Sequence, residues 1–295
     1  MSLQENRISL TPDAVALLIN NGHEVIVETM AGEGSKFSDK AYSEAGAKIA
    51  YSAEEVYSAN IILKIEPPSI EEIEYFKPGQ TLISALQMGH LNQDCVNALL
   101  KKRVTALAYE FIEDKVGGMP IVRAMSEIAG STVMLIAAEY LSTVNKGKGI
   151  ILGGITGVPP TKVVIIGAGT VAEYAARAAL SLGAEIQVFD NHLYKLRRIK
   201  HTLGHQFYTS TIDTITLSES LVNADVVIGA LRAEKGKVRH VVSEEMVKRM
   251  KPDSLIIDLS IDQGGCIATS ETTSLNRPVF RKYDIIHYCV PNVAS

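Results

Sequence analysis

The sequence has no tryptophan, and only three of its 295 residues are cysteine. Cys95, Cys266 and Cys289 lie far apart, are odd in number and form no CxxC or other metal-ligand spacing. Neither a disulfide framework nor a metal site is therefore expected, and the thiols read as reduced cysteines of a cytoplasmic protein. A surplus of positive charge is also missing. Lys and Arg number 29 against 33 Asp and Glu, a formal net charge of −4, which argues against nucleic acid or an anionic membrane as partner. No uninterrupted apolar run approaches the roughly 20 residues of a membrane span, and no N-terminal stretch reads as a secretory signal.

What is present is a globular composition, 46% hydrophobic and 21% charged, in a chain long enough for two domains. The first 120 or so residues alternate strand-like and helix-like segments. Thr11 reads as an N-cap and Pro12 as the first helical residue. Strands are expected at His23–Glu28, Ile61–Ile65, Thr81–Leu86 and Val104–Tyr109, with polar helices at Ser52–Ser58 and Gln93–Lys101 between them. A long apolar helix, Ser126–Leu141, follows, and then a glycine- and proline-rich loop from Gly147 to Pro160. A second strand–helix series places strands at Lys162–Gly167, Ile186–Asp190, Val226–Gly229, Leu255–Leu259 and Asp284–Cys289. Alternation of this kind implies parallel βαβ units. The expected fold is α/β, with two Rossmann-like domains of parallel sheet, residues 1–124 and 125–295, joined by the apolar helix.

The strongest local signal is KVVIIGAGTVAEYAAR, Lys162 to Arg177. An apolar strand runs directly into Gly167-Ala168-Gly169-Thr170-Val171-Ala172, a G-x-G-x-x-A fingerprint opening an alanine-rich helix. Gly167 permits the tight turn, Gly169 lets backbone approach a pyrophosphate, and Ala172 allows close helix–strand packing. Free N–H groups and the positive dipole end of the helix then face the phosphates. Asp190 ends the next strand, 21 residues after Gly169, where an acidic side chain accepts the ribose hydroxyls and repels a 2′-phosphate. The expected cofactor is NAD.

Other segments carry a resemblance. Asn6-Arg7-Ile8-Ser9-Leu10-Thr11-Pro12, Gly32-Glu33-Gly34-Ser35, Met125 to Gly130, Gly153 to Pro160, Ile261-Asp262-Gln263-Gly264-Gly265-Cys266 and His287 to Asn292 occur in order across nearly the whole chain. Together with the glycine motif they resemble the alanine dehydrogenase and transhydrogenase alpha-subunit family, alanine dehydrogenase most closely. The resemblance implies an oxidoreductase that moves hydride between L-alanine, or a related small amino acid, and NAD, giving a 2-oxo acid and ammonium. The resemblance also implies a segment beyond Asn292, returning to the first domain, that the sequence ending at Ser295 does not include. The apolar helix Ser126–Leu141 hints at a subunit interface, so a homo-oligomer is expected.

Residue by residue, Arg7 matches the arginine that grips the substrate carboxylate, a task suited to its planar fork. Asp262 matches an aspartate near the nicotinamide, and Ser126 and Asn292 match residues lining the cofactor site. Lys64 is retained. Two positions depart from the pattern. Gln87 stands where alanine dehydrogenases carry an acid–base histidine, and Glu66 stands where a second lysine is expected. A carboxamide hydrogen-bonds but does not titrate, so oxidation of alanine is expected to be poor. His90 and Asp262 are alternative proton carriers, and Arg123 or Lys64 is a candidate to neutralise Glu66. These departures keep two alternatives open: a transhydrogenase-alpha-like NAD(H)-binding subunit, or an NAD-binding sensor that has lost catalysis.

Overall fold

A computed structural model of the chain describes residues 5–87, 91–232 and 239–294. The chain forms two compact units. The first ends at Val122, and the second runs from Arg123 to Ala294.

The first unit is a βα series of short elements: α1 (Pro12–Asn20), β1 (Ile26–Glu28), α2 (Asp39–Glu44), β2 (Lys48–Ala50), α3 (Ala53–Val56), β3 (Ile61–Leu63), α4 (Ile70–Glu74), β4 (Thr81–Ser84), α5 (Gln93–Lys102) and β5 (Thr105–Ala108). The helices begin where small polar side chains satisfy their first N–H groups. Thr11, Ser38, Ser52, Ser69 and Asn92 each accept from the first turn that follows. The strand pairs are parallel but fall into two sheets, β1–β2 and β3–β4–β5. Tyr42 and Val15 are fully buried beside the first sheet. Ile62, Ile73, Phe76, Leu82 and Leu99 fill the core of the second. Strand β2, Lys-Ile-Ala, escapes the sequence reading because it holds a single β-branched residue and no strand-like run.

The second unit contains α6 (Pro120–Leu141, whose first turn precedes the boundary), β6 (Lys162–Ile166), α7 (Thr170–Ser181), β7 (Glu185–Phe189), α8 (Leu193–Leu203), β8 (Tyr208–Ser210), α9 (Thr214–Asn223), β9 (Val226–Gly229), α10 (Glu244–Lys248), β10 (Leu255–Asp258), β11 (Val279–Lys282) and β12 (Ile285–Tyr288). Its seven-stranded sheet has the order β11-β12-β10-β9-β6-β7-β8. Every pairing is parallel except β11–β12. Without the antiparallel edge strand β11 this is the doubly wound dinucleotide-binding order. Strands β6, β9, β10 and β12 are buried along nearly their whole length, as expected of parallel strands covered on both faces. Strands β8 and β11 were not read from the sequence, since each is a short, half-exposed edge.

Helix α6 corrects two expectations. It starts at Pro120 rather than Ser126, so Ser126 lies inside the helix and caps nothing. By length and composition it is also long and apolar enough to cross a membrane. Arg123, Ser126 and Glu127 interrupt its apolar residues, so no continuous apolar run marks it in the sequence. Val133, Met134, Ala137 and Leu141 of this helix are fully buried in the core of the second unit. Gly130 lets it approach α7 so closely that a Cβ there would lie 2.4 Å from the Val171 carbonyl oxygen.

Candidate active site

In the second unit the chemistry-bearing residues collect at the C-terminal ends of parallel strands, where open α/β sheets bind ligands. Gly167 leaves β6 with φ +114, and a Cβ on it would meet the Ala230 carbonyl oxygen at 2.4 Å, so the turn requires glycine. Gly169 is different. Its φ is −78, and a Cβ there would meet nothing within 4 Å. Nothing among the described residues demands glycine at this position. The space it leaves, directly before the first turn of α7, fits a pyrophosphate approaching the backbone. Gly169 also caps α7 without a side-chain hydrogen bond, which leaves the helix N–H groups to a ligand. Ala172 is fully buried against the sheet.

Asp190, at the end of β7, is 4% exposed. Its Oδ2 accepts the Ala168 N–H at 2.8 Å, and its Oδ1 accepts the His192 N–H at 2.8 Å. The carboxylate therefore fastens the glycine turn to the next strand as well as standing where ribose hydroxyls are expected. Oδ1 also lies 3.0 Å from His192 Nδ1, so Oδ2 is the oxygen that retains a second lone pair. Arg198 donates to the Ala168 carbonyl at 3.0 Å and lies 3.6 Å from Glu173. These contacts hold Arg198 Nη2 against the glycine loop.

Asp262 sits exposed in a 3-10 turn, Ile261–Gln263, after β10. Asn292 lies half-buried after β12 with φ +57. What shapes the Asp262 loop is a residue the sequence reading missed. Asp258, the last residue of β10, is 1% exposed. It accepts N–H groups from Ser260 at 3.1 Å, Cys266 at 3.0 Å and Ile267 at 3.3 Å. Burial pushes its carboxyl above the ordinary range in spite of these donors. Gly264 and Gly265 both adopt positive φ as the chain wraps around this carboxylate. The signal available was a buried-strand aspartate immediately before the glycine pair.

In the first unit a charge cluster surrounds Arg7. The Gly32-Glu33-Gly34-Ser35 segment positions it: Ser35 Oγ donates to the Asn6 carbonyl at 2.6 Å, and a Cβ on Gly34 would lie 2.9 Å from Asn6 Cα. Arg7 places Nε and Nη2 on the two oxygens of Glu5, at 2.8 and 2.6 Å. Lys64 Nζ sits on both oxygens of Glu72, at 2.5 and 2.7 Å. Burial opposes ionisation of Glu72, but Lys64 and the Ser69 N–H outweigh it and hold its carboxyl below the usual range. Glu72 also closes the capping box of α4, which fixes its position.

Glu66 follows β3, half-buried. Burial and the Glu5 carboxylate push its carboxyl upward, against the pull of Lys64 and Arg7. Gln87 follows β4 with φ +46, and its N–H donates to Glu110 Oε1 at 2.6 Å. It thus stands in a left-handed turn beyond the strand rather than in the strand. Pro67, Ser69, Leu86, Gln87, Asn92 and Cys95 line a cavity of about 250 Å3. Arg123, the candidate to neutralise Glu66, pairs with Glu127 one helical turn away at 3.0 Å, its side chain 72% exposed. His90 lies outside the described residues. All three cysteines are buried and free, and among the described residues no cluster suited to a metal occurs.

Comparison with known proteins matches residues 1–129 to the family model "Alanine dehydrogenase/PNT, N-terminal domain" and residues 133–295 to "Alanine dehydrogenase/PNT, C-terminal domain". An alanine dehydrogenase of Mycolicibacterium smegmatis is 39% identical over 98% of this chain and 78% of its own length. One from Bacillus subtilis is 39% identical over 98% of this chain and 76% of its own. A solved L-alanine dehydrogenase structure matches with a TM-score of 0.92 and 33% identity, over 98% of this chain and 80% of that one. A transhydrogenase from Sinorhizobium meliloti matches with a TM-score of 0.86 and 25% identity, over 98% and 84%.

Proposed function

Because this chain belongs to the alanine dehydrogenase/PNT family, we infer that it is an NAD-dependent oxidoreductase of the alanine dehydrogenase type. It moves hydride between L-alanine, or a related small amino acid, and NAD, giving a 2-oxo acid and ammonium. The observation that carries the cofactor assignment is the open space at Gly169 between a buried turn glycine and Asp190. When bound, NAD supplies the hydride acceptor. Gly167, Gly169, Ala172 and Asp190 shape its site, and Ser126, Asp262 and Asn292 are proposed to line it.

The remaining work falls to the first unit. Arg7 is proposed to hold the substrate carboxylate, sharing its guanidinium with Glu5, which orients it. Lys64 is proposed to add positive potential from its seat on Glu72. Gln87 is proposed to hydrogen-bond the reacting group without exchanging a proton with it. The direct test mixes the pure protein with NAD and L-alanine and follows NADH absorbance. The reverse assay supplies NADH, pyruvate and ammonium. Alanine-dependent NADH formation supports the reading, and its absence in both directions overturns it.

A homo-oligomer is proposed through α6, with a second copy of the chain as occupant. Ala124, Ile128, Ser131, Leu135 and Ala138 form an exposed stripe with alternating spacings of four and three along this helix. Two such helices crossing antiparallel about Ser131 would set each Arg123 opposite the partner's Glu139. Leu135→Glu should lower the sedimenting mass, and an unchanged mass would exclude this face. The protein is proposed to work in the cytoplasm, which suits three unpaired thiols.

A further inference from the structure

The proton balance of amino-acid oxidation leaves a vacancy at Gln87, and the first unit fills it from the adjacent strand. We propose that Glu66 is the acid–base residue of this protein, its carboxylate facing the substrate ammonium and taking a proton from it. The inference rests on the function proposed above and names the group that makes it chemically complete.

Placement is the first argument. The Ala85 N–H donates to the Ile65 carbonyl at 2.9 Å, so β3 and β4 remain paired beyond their regular ends. By this register Glu66 leaves the sheet level with Leu86, one residue before Gln87, and Pro67, Leu86 and Gln87 go on to line the cavity. Commitment is the second. Arg7 is bonded to Glu5, Lys64 to Glu72, and Glu110 to the Gln87 backbone. Among the described residues Glu66 accepts no hydrogen bond. It is a half-buried carboxylate close enough to Arg7 to feel its charge. A zwitterion whose carboxylate is held by Arg7 carries an ammonium, the partner that Glu66 lacks.

The groups acting on Glu66 are Glu5 and Arg7 from the N-terminal segment, Lys64 on its own strand and Glu72 on α4. Burial and Glu5 raise its affinity for a proton, which suits a base that must receive one from an ammonium.

The steps balance. The Glu66 carboxylate takes one proton from the ammonium, leaving a neutral amine. Hydride departs from Cα to the bound NAD, and the amine lone pair closes a C=N bond, giving an iminium. Water adds to the iminium carbon and releases one proton to solvent. Protonated Glu66 returns its proton to the amine nitrogen. The carbinol oxygen then forms C=O as the C–N bond breaks, and nitrogen leaves with the hydroxyl proton as ammonium. Alanine, NAD and water become pyruvate, ammonium, NADH and one proton.

The test uses Glu66→Gln, which keeps shape and hydrogen bonding but cannot accept a proton, and Glu66→Asp, which can. In Glu66→Gln, alanine-dependent NADH formation should fall by about a hundredfold or more, and the acid limb of kcat/KM should vanish. Glu66→Asp should keep that limb at a reduced rate. A second readout needs no turnover. With NADH bound, alanine cannot transfer hydride, so its affinity can be read from NADH fluorescence. Glu66→Gln should weaken L-alanine about tenfold, while pyruvate, which has no ammonium, should bind equally or better. Turnover within a few-fold of wild type with an unchanged pH profile would overturn the proposal and leave the family-type function standing. A wild type that neither turns over nor binds alanine would bring down both.

Discussion

The Asp190 carboxylate accepts the N–H of Ala168, the middle residue of the glycine turn, at 2.8 Å. One side chain thus shapes the turn from within while standing at the ribose end of the expected cofactor. Asp190→Ala leaves the buried Ala168 N–H unsatisfied, at a cost of about 1–3 kcal/mol, and removes the charge that discriminates against a 2′-phosphate. We expect a lower Tm and NAD affinity at least tenfold weaker. Asp190→Asn keeps one acceptor oxygen for two backbone N–H donors, so it should recover only part of the stability and little of the discrimination. Calorimetry with NADH and NADPH reads both effects. Tighter NADPH binding by the wild type would refute the assignment.

Arg7 offers a separable test because the charge and the fork can be divided. Arg7→Lys keeps a cation near Glu5 but loses the two parallel donors. The Michaelis constant for alanine or pyruvate should rise about tenfold or more, while the dissociation constant for NADH stays unchanged, since the nucleotide fingerprint belongs to the second unit. Equal binding of both ligands after the change would remove Arg7 from the substrate site.

These two residues mark what the sequence made legible. The glycine turn, Asp190 and the alternation of strands and helices are local patterns, because strand, turn and helix follow one another within a few tens of residues. Arg7 was visible through its Leu-Thr-Pro neighbourhood. Its partner Glu5, the pairing of Lys64 with Glu72 and the clamp at Asp258 were not. Lys64 and Glu72 are an ordinary pair of charges until α4 folds back onto β3. Asp258 reads as one more strand residue until the chain returns with Cys266 and Ile267 to donate to it. The left-handed turn at Gln87 was invisible because glutamine carries no preference for it.

His287 predicts how the second unit meets acid. It is fully buried, with Nε2 2.8 Å from Thr269 Oγ1, Nδ1 3.1 Å from the Ile285 carbonyl, and its ring stacked on Phe280. Burial lowers its pKa to about 4. The unfolded chain therefore binds a proton in a range where the folded one does not. The contribution to stability is complete above the ordinary histidine value of roughly 6.5 and is lost progressively as pH falls from there to about 4, on the order of 3 kcal/mol in all. Denaturant unfolding at a series of pH values should show this slope, and His287→Gln should flatten it. A wild-type stability that is constant over this window would show the imidazole to be less buried than its surroundings indicate.

Glu66 and Gln87 should behave as a single exchange. The resemblance read from the sequence implies a lysine and a histidine at these two positions, where this chain places a carboxylate and an amide. The wild type should therefore oxidise L-alanine more slowly than a relative bearing the Lys–His pair, because a positioned acid–base group contributes on the order of a hundred- to ten-thousand-fold and a carboxylate serves less well than imidazole near neutral pH. Glu66→Lys alone should abolish turnover, since it removes the proposed base and supplies no other. Gln87→His alone should help only modestly, because Glu66 still repels the 2-oxo-acid carboxylate. Both changes together should exceed the wild type and depart strongly from additivity. The backbone favours the attempt: Gln87 sits at φ +46, a region where histidine is several-fold more common than most residues, and its N–H bond to Glu110 does not involve the side chain. Initial rates of alanine-dependent NADH formation for the four proteins decide the matter. A double variant slower than the wild type, with both single variants equally slow, would mean that this site is adapted to proton transfer by another route.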